Sequence, residues 1–135
     1  MNNEDLFKTI FAGICTFLTY IFGSWDTCLI VLVAFIAIDY TTGVIAAAIN
    51  GKLNSHVGFN GILRKSTIFL VLIVAVLLDR LLNEGAWVFR TLVCYFYIAN
   101  EGLSILENAG KCGVPLPDKL IKTLEQLKNK GEKGE

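Results

Sequence analysis

Four apolar segments occupy most of the chain, and three of them are long enough to cross a lipid bilayer as helices. They cover residues 6–22, 27–49, 62–82 and 86–106. A spanning helix needs about 20 mostly apolar residues, and the last three segments reach that length. Hydrophobic residues make up 54% of the 135 residues, more than a small soluble domain is able to bury. We therefore predict an all-α integral membrane protein with three transmembrane helices.

The first apolar segment has a different pattern from the other three. On a helix, Asp5 and Thr9 share one face, whereas Phe7 and Ile14 share the opposite face. This pattern predicts an N-terminal amphipathic helix within residues 1–25. A position in the membrane interface is favoured because the charged residues at its start resist burial, and a fourth span stays open.

Residues 26–108 form the predicted three-helix transmembrane domain, and a basic tail follows it at 109–135. Glycines and two prolines, Pro115 and Pro117, break the last span after Asn108. Leucines and an isoleucine recur at helical spacing among the lysines of 118–130. This spacing predicts a short amphipathic C-terminal helix.

The lysines and arginines are unevenly distributed between the two sides of a three-span topology. The loop after the second segment and the tail share one side, which holds Lys52, Arg64, Lys65, Lys111, Lys119, Lys122, Lys128, Lys130 and Lys133. The other side holds Lys8, Arg80 and Arg90. The positive-inside rule therefore predicts a cytoplasmic C-terminus. The formal net charge of +0 indicates no nucleic-acid partner.

Asp39 lies near the middle of the second apolar segment. A charge at that depth costs about 2.5–3.5 kcal/mol on insertion scales, so it has to be protonated, paired or hydrated. Gly43 and Ala47 on the same helix form a small-residue pattern that allows another helix to approach closely. Two interpretations remain open for Asp39: an acid facing water or another subunit, and a protonated acid hydrogen-bonded inside the bundle.

The fourth segment carries a polar stripe along one face, made of Arg90, Cys94, Tyr97, Glu101, Ser104 and Asn108. Such a helix either lines a cavity or packs its stripe against polar partners. The third segment is uncharged from Ser66 to Leu78, which predicts a lipid-facing helix. Antiparallel neighbours would place Lys65 or Arg64 near Glu101 or Asp39, and Asp79 near Arg90.

Motifs for catalysis, cofactors and metals are missing from the sequence. His56 is the single histidine, the four cysteines form no C-x-x-C pair, and no phosphate-binding loop is present. The acidic start at Met1–Asp5 is unlike a secretory signal. We predict a protein that is not an enzyme, with no catalytic residues, no metal site and no cofactor.

Five short runs resemble the toxin-secretion/phage-lysis holin family. They are Asp-Tyr-Thr-Thr-Gly at 39–43, Gly-Lys-Leu-Asn-Ser at 51–55, Gly-Ile-Leu-Arg-Lys at 61–65, Tyr-Ile-Ala-Asn-Glu-Gly-Leu-Ser-Ile-Leu-Glu-Asn at 97–108 and Gly-Val-Pro-Leu-Pro at 113–117. The likeness covers roughly residues 25–125, and the ordered set is more specific than any single run.

The resemblance implies a multi-pass protein of the bacterial cytoplasmic membrane that assembles with copies of itself and opens a lesion. An endolysin, or a large toxin without a signal peptide, would be the cargo. Candidate positions for the pore or the assembly are Asp39, Gly43, Arg64, Lys65, Asp79, Arg90, Tyr97, Asn100, Glu101 and Ser104. Two alternatives stay open: a small ion channel or transporter subunit, and an antiholin or membrane scaffold.

Overall fold

The computed structural model describes residues 1–133 and confirms the all-α prediction. Within that range five helices follow one another, with no strand: α1 (Asn3–Phe22), α2 (Thr27–Ile49), α3 (Ser55–Leu82), α4 (Phe89–Lys111) and α5 (Asp118–Lys133). The bounds of α2 are those predicted from hydropathy. α1 and α3 also end where predicted, at Phe22 and Leu82, but they begin earlier than predicted, and both bounds of α4 are shifted. The starts differ because hydropathy marks where a chain meets lipid, whereas caps and turns decide where a helix begins.

Asparagine and aspartate side chains cap the first three helices. Asn2 accepts from the backbone N–H of Asp5 at 2.8 Å, and Asp26 accepts from that of Leu29 at 3.0 Å. Asn54 accepts from the N–H of His56 at 2.8 Å, so α3 begins at Ser55 rather than at Ile62. The loop predicted after the second apolar segment, residues 51–61, is therefore helical from Ser55 onward.

Three helices are long and apolar enough to cross a membrane, and they are α1, α2 and α3. The predicted set was α2, α3 and α4. α4 is a helix of 23 residues but is absent from this group, since its polar stripe lowers its hydropathy. α1 is long and apolar enough to cross a membrane, although we predicted from its amphipathic pattern that it lies in the membrane interface.

α4 is the central helix of the bundle. It packs along α2, α3 and α5, whereas α2 and α3 contact each other little. The buried core is shared by α2, α3 and α4: Leu29, Leu32, Ile36, Ile68, Leu72, Cys94 and Ile98. Leu32 and Leu72, at zero exposure, show that the three helices pack directly against one another in one copy.

The outer faces of α1 and α3 are apolar and exposed. α1 buries no residue, and Arg80 of α3 joins it by donating to the Tyr20 carbonyl at 2.6 Å. On α3, Leu70 and Val74 are 61% and 56% exposed, on the face opposite the buried Leu72 and Val76. This asymmetry agrees with the prediction that α3 faces lipid.

α5 begins at Asp118 as predicted and lies along α4. Leu127 packs against the core, and Leu124 lies against Gly102 of α4. Leu124 and Leu127 therefore face the bundle, whereas Leu120 nearer the start of the helix is exposed. The sequence predicted a basic tail with an amphipathic helix and did not indicate that this helix packs on α4.

Candidate functional site

A buried ion cluster joins the three central helices. Lys65 of α3 donates to the carboxylates of Asp39 on α2 and Glu101 on α4, with 2.6 Å between its Nζ and the Oε2 of Glu101. The two acidic side chains are only 4% and 3% exposed. The sequence left Lys65 and Arg64 as alternative partners of Glu101 or Asp39, and the structure shows Lys65 with both carboxylates.

Asp39 has a second partner on α4. The side-chain amide of Asn108 donates to Oδ1 of Asp39 at 3.0 Å, and it lies 3.1 Å from the hydroxyl of Thr42. Asp39 is therefore paired and hydrogen-bonded inside one copy, which is a combination that makes a buried charge tolerable. Of the two interpretations of Asp39, the structure supports an acid bonded inside the bundle, with Lys65 and Asn108 as its partners.

The Lys65 cluster lies about halfway along α2 and α4. Asp39 and Glu101 each stand close to the middle of a helix of 23 residues. One ammonium serves two carboxylates, so the cluster carries a formal charge of −1 when all three groups are ionised. A low-dielectric setting makes each of these interactions stronger, and makes the loss of any one partner more costly.

A second polar cluster lies at the N-terminal end of α4, around the buried Arg90. Its guanidinium donates to both carboxylate oxygens of Asp26, at 2.9 and 3.2 Å, and to the carbonyls of Phe22 and Ser24. The hydrogen bond from Arg90 holds the pKa of Asp26 below its ordinary value of 3.8. Asp26 therefore stays ionised beside the guanidinium.

The side chain of Asp79 binds the backbone of Arg90 and not its guanidinium. Its carboxylate accepts from the N–H groups of Phe89 and Arg90 at 2.9 and 2.8 Å. α4 has no cap from its own preceding residue, so the carboxylate from α3 fills that role. The expected Asp79–Arg90 ion pair is wrong, because Asp26 occupies the guanidinium. Sequence reasoning missed Asp26, although its position just before α2 marked it as a cap.

A cavity of about 290 Å³ opens beside the Lys65 cluster, between α2, α3 and α4. Gly43, Arg64 and Ser104 line it, together with Lys52 from the α2–α3 loop. Tyr40, which sequence reasoning missed, lies against Gly58 and Gly61 of α3. The space suits a small solute and is far too small for a folded protein.

The remaining candidates lie on the inner and flanking faces of α4. Tyr97 packs against the core, and Asn100 is half-buried. The structure therefore brings six of the candidates together around the Lys65 cluster and its cavity: Asp39, Gly43, Arg64, Lys65, Glu101 and Ser104. Asp79 and Arg90 lie apart from them, at the N-terminal end of α4. In residues 1–133, no group of His, Cys, Asp or Glu side chains is placed to hold a metal ion.

Comparison with known proteins gives a consistent picture. A model of the bacteriophage holin family matches residues 16–129. A Clostridium perfringens protein encoded 3′ of nagH is 56% identical over 115 residues, 85% of this chain and 87% of its own length. A protein of Bacillus phage phi105 named as a probable holin is 43% identical over 99 residues, 73% of this chain and 71% of its own. No solved structure matches the chain.

Proposed function

This multi-pass membrane protein belongs to the bacteriophage holin family, and we propose that it assembles with copies of itself into a pore or lesion. The membrane would be the bacterial cytoplasmic membrane, with the α2–α3 loop, the C-terminal end of α4 and the start of α5 on the cytoplasmic side, as the lysine distribution predicts. The cargo would be an endolysin or a large toxin that lacks a signal peptide. Catalysis has no part in this proposal.

The packed core of a single copy, which leaves no space of protein size, is the observation that carries the proposal. Leu32, Leu72 and Cys94 are fully buried where α2, α3 and α4 meet. The cavity of about 290 Å³ cannot pass a folded protein. A passage for an enzyme or a toxin therefore has to be enclosed by several copies, arranged in a ring or a larger assembly.

The polar clusters bear on how the assembled state is reached. Asp39, Lys65 and Glu101 pair inside one copy, so the unassembled chain offsets one of its two buried carboxylate charges without a second subunit. Assembly is favoured only if it stabilises the open state more than the closed one. Loss of the membrane potential supplies one such bias, worth about 2.3 kcal/mol per charge per 100 mV.

Inducible expression in a bacterium, with and without a muralytic enzyme in the cytoplasm, tests the proposal. We expect growth to stop abruptly in both cultures and lysis to occur only where the enzyme is present. A culture with the muralytic enzyme alone is the control. Normal growth at high levels of the membrane-inserted chain would refute the proposal.

A small ion channel is the second candidate, and the cavity beside the charged cluster favours it. Lys52, Arg64 and Asp39 place ionisable groups around a space of solute size within one copy. Such a channel would pass ions and no protein, so the size of the released solute separates the two functions.

A further inference from the structure

α5 approaches the middle of α4 very closely. A Cβ added to Gly102 would lie 3.0 Å from both methyl carbons of Leu124, and a Cβ on Gly131 would lie 2.9 Å from the backbone nitrogen of Phe96. The Lys128 ammonium lies 5.9 Å from the centre of the Phe96 ring. α5 thus runs back along α4, from the Lys111 end toward the Phe89 end.

These contacts fix the depth of α5 relative to the spans. Gly102 follows Glu101 at the middle of α4, and Phe96 lies beyond that midpoint on the side of Phe89. α4 in turn lies at the height of α2, because Arg90 meets Asp26 and Asn108 meets Asp39. The second half of α5 therefore reaches the middle of the membrane layer.

The outward face of α5 is polar at that depth. Its exposed side chains include Lys122, Glu125, Gln126, Asn129 and Lys130. Charged side chains that face hydrocarbon at the bilayer centre are strongly unfavourable, and amphipathic helices with such faces require water on that side. This face of α5 is therefore incompatible with a lipid neighbour.

We infer that α5, folded along α4, borders water at membrane depth and lines the passage that several copies enclose. The inference rests on the proposed pore and adds the identity of the lining element. The polar stripe of α4 is turned inward to α2 and α3, as the Lys65–Glu101 pair shows, whereas α5 presents charges of both signs outward.

A disulfide trap tests whether α5 docks on α4 in the membrane. The four native cysteines are replaced by alanine, and the pair Phe96→Cys/Gly131→Cys is introduced, since these positions lie within disulfide reach. The matched control is Phe96→Cys/Lys119→Cys, with its second cysteine at the opposite end of α5. After oxidation of the reconstituted full chain, we expect most of the 96/131 protein and little of the control to be intramolecularly crosslinked. Equal, low crosslinking of both pairs would place α5 elsewhere and overturn the inference.

A spin label on the same alanine background tests what the outward face of α5 meets. The label is attached at Asn129→Cys or, as a lipid-facing control on α3, at Val74→Cys. We expect a water-soluble nickel chelate to relax the label at position 129 severalfold more than the label at 74, and oxygen to show the opposite preference. Stronger relaxation by oxygen at both positions would overturn the inference.

Neither the crosslinking yield nor the spin-label relaxation depends on the release of solute through a pore. Dye release from vesicles containing the unsubstituted chain reports on the proposed pore separately. Release together with a lipid-exposed label at position 129 would refute the lining role of α5 and leave the pore standing. Absence of release would refute the pore, and with it the claim that α5 lines one.

Discussion

The Lys65 ammonium lies 2.6 Å from Oε2 of Glu101, and this contact joins α3 to α4 close to the midpoint of α4. Because Lys65 also holds Asp39 of α2, a single cation connects the three core helices. The neighbouring cation, Arg64, is exposed and forms no ion pair with any residue from 1 to 133. The two adjacent basic residues are therefore expected to respond very differently to substitution.

Lys65→Met should destabilise the fold strongly. It leaves two buried carboxylates without a counter-charge, and removing one partner of a buried ion pair costs about 3–5 kcal/mol. Unfolding of the purified chain in mixed micelles measures the loss. Arg64→Met is the matched control and should change stability by less than about 1 kcal/mol, as expected for an exposed charge. Equal effects of the two variants would show that the cluster is not a structural centre.

Glu101→Gln should be milder than Lys65→Met. The substitution keeps the shape of the side chain and leaves one lysine facing one carboxylate, that of Asp39. We expect a change within about 1.5 kcal/mol, the size of a single ordinary hydrogen bond. The same unfolding assay checks this order, and a loss as large as that of Lys65→Met would mean that both carboxylates are needed at once.

The Lys65 cluster was accessible to sequence reasoning, whereas the partner of Arg90 was not. Antiparallel spans with charges at matching heights have few ways to pair, which is why a pairing of Lys65 or Arg64 with Glu101 or Asp39 could be predicted; only the structure selects Lys65. At the N-terminal end of α4, both Asp79 and Asp26 are near enough in the chain topology to be the partner of Arg90. The choice between them depends on the geometry of the turn before α4, where Asp79 is needed as a cap, and hydropathy carries no information about that turn.

Acid should weaken the Arg90 end of the bundle through Asp26. The pKa of Asp26 is lowered by its hydrogen bond from Arg90, so the pair contributes its full stability above the ordinary pKa of 3.8. That contribution is lost as the pH falls below 3.8 and through the lower pKa of the folded state. Unfolding measured from pH 6 down to about pH 2, in steps of about one unit to resolve the transition, should show a steeper decline for the wild type than for Asp26→Asn. Parallel curves would contradict the pairing.

Gly102→Val should release α5 from α4. The added side chain would meet Leu124 at 3.0 Å and Phe35 at 3.1 Å, so the helices have to separate, at a cost of about 1–3 kcal/mol. Trypsin should then cleave after Lys122 and Lys128 faster than in the wild type. Gly110→Val is the control, since its nearest neighbour, Leu116, would be at an ordinary 3.7 Å. Unchanged cleavage of the Gly102 variant would argue against tight docking.

The position of α5 shows where sequence reasoning stopped. Leucine spacing predicted an amphipathic helix, and the helix is present. Its docking depends on two glycines in different helices, Gly102 and Gly131, which allow the backbones to approach. Neither glycine signals a partner by itself, because the contact joins positions far apart in the chain. α1 raises the same difficulty, since it is apolar enough to span and yet packs on little besides α3.

Release of solutes of two sizes from vesicles tests the central claim most directly. The purified chain is reconstituted at increasing protein-to-lipid ratios into vesicles that hold a small dye and a dextran the size of a globular enzyme. Self-assembly into a protein-sized pore predicts that both solutes escape together, above a threshold ratio and with a steep dependence on protein density. Escape of the small dye alone, in proportion to the amount of protein, would contradict the account and identify a channel formed by one copy or a few.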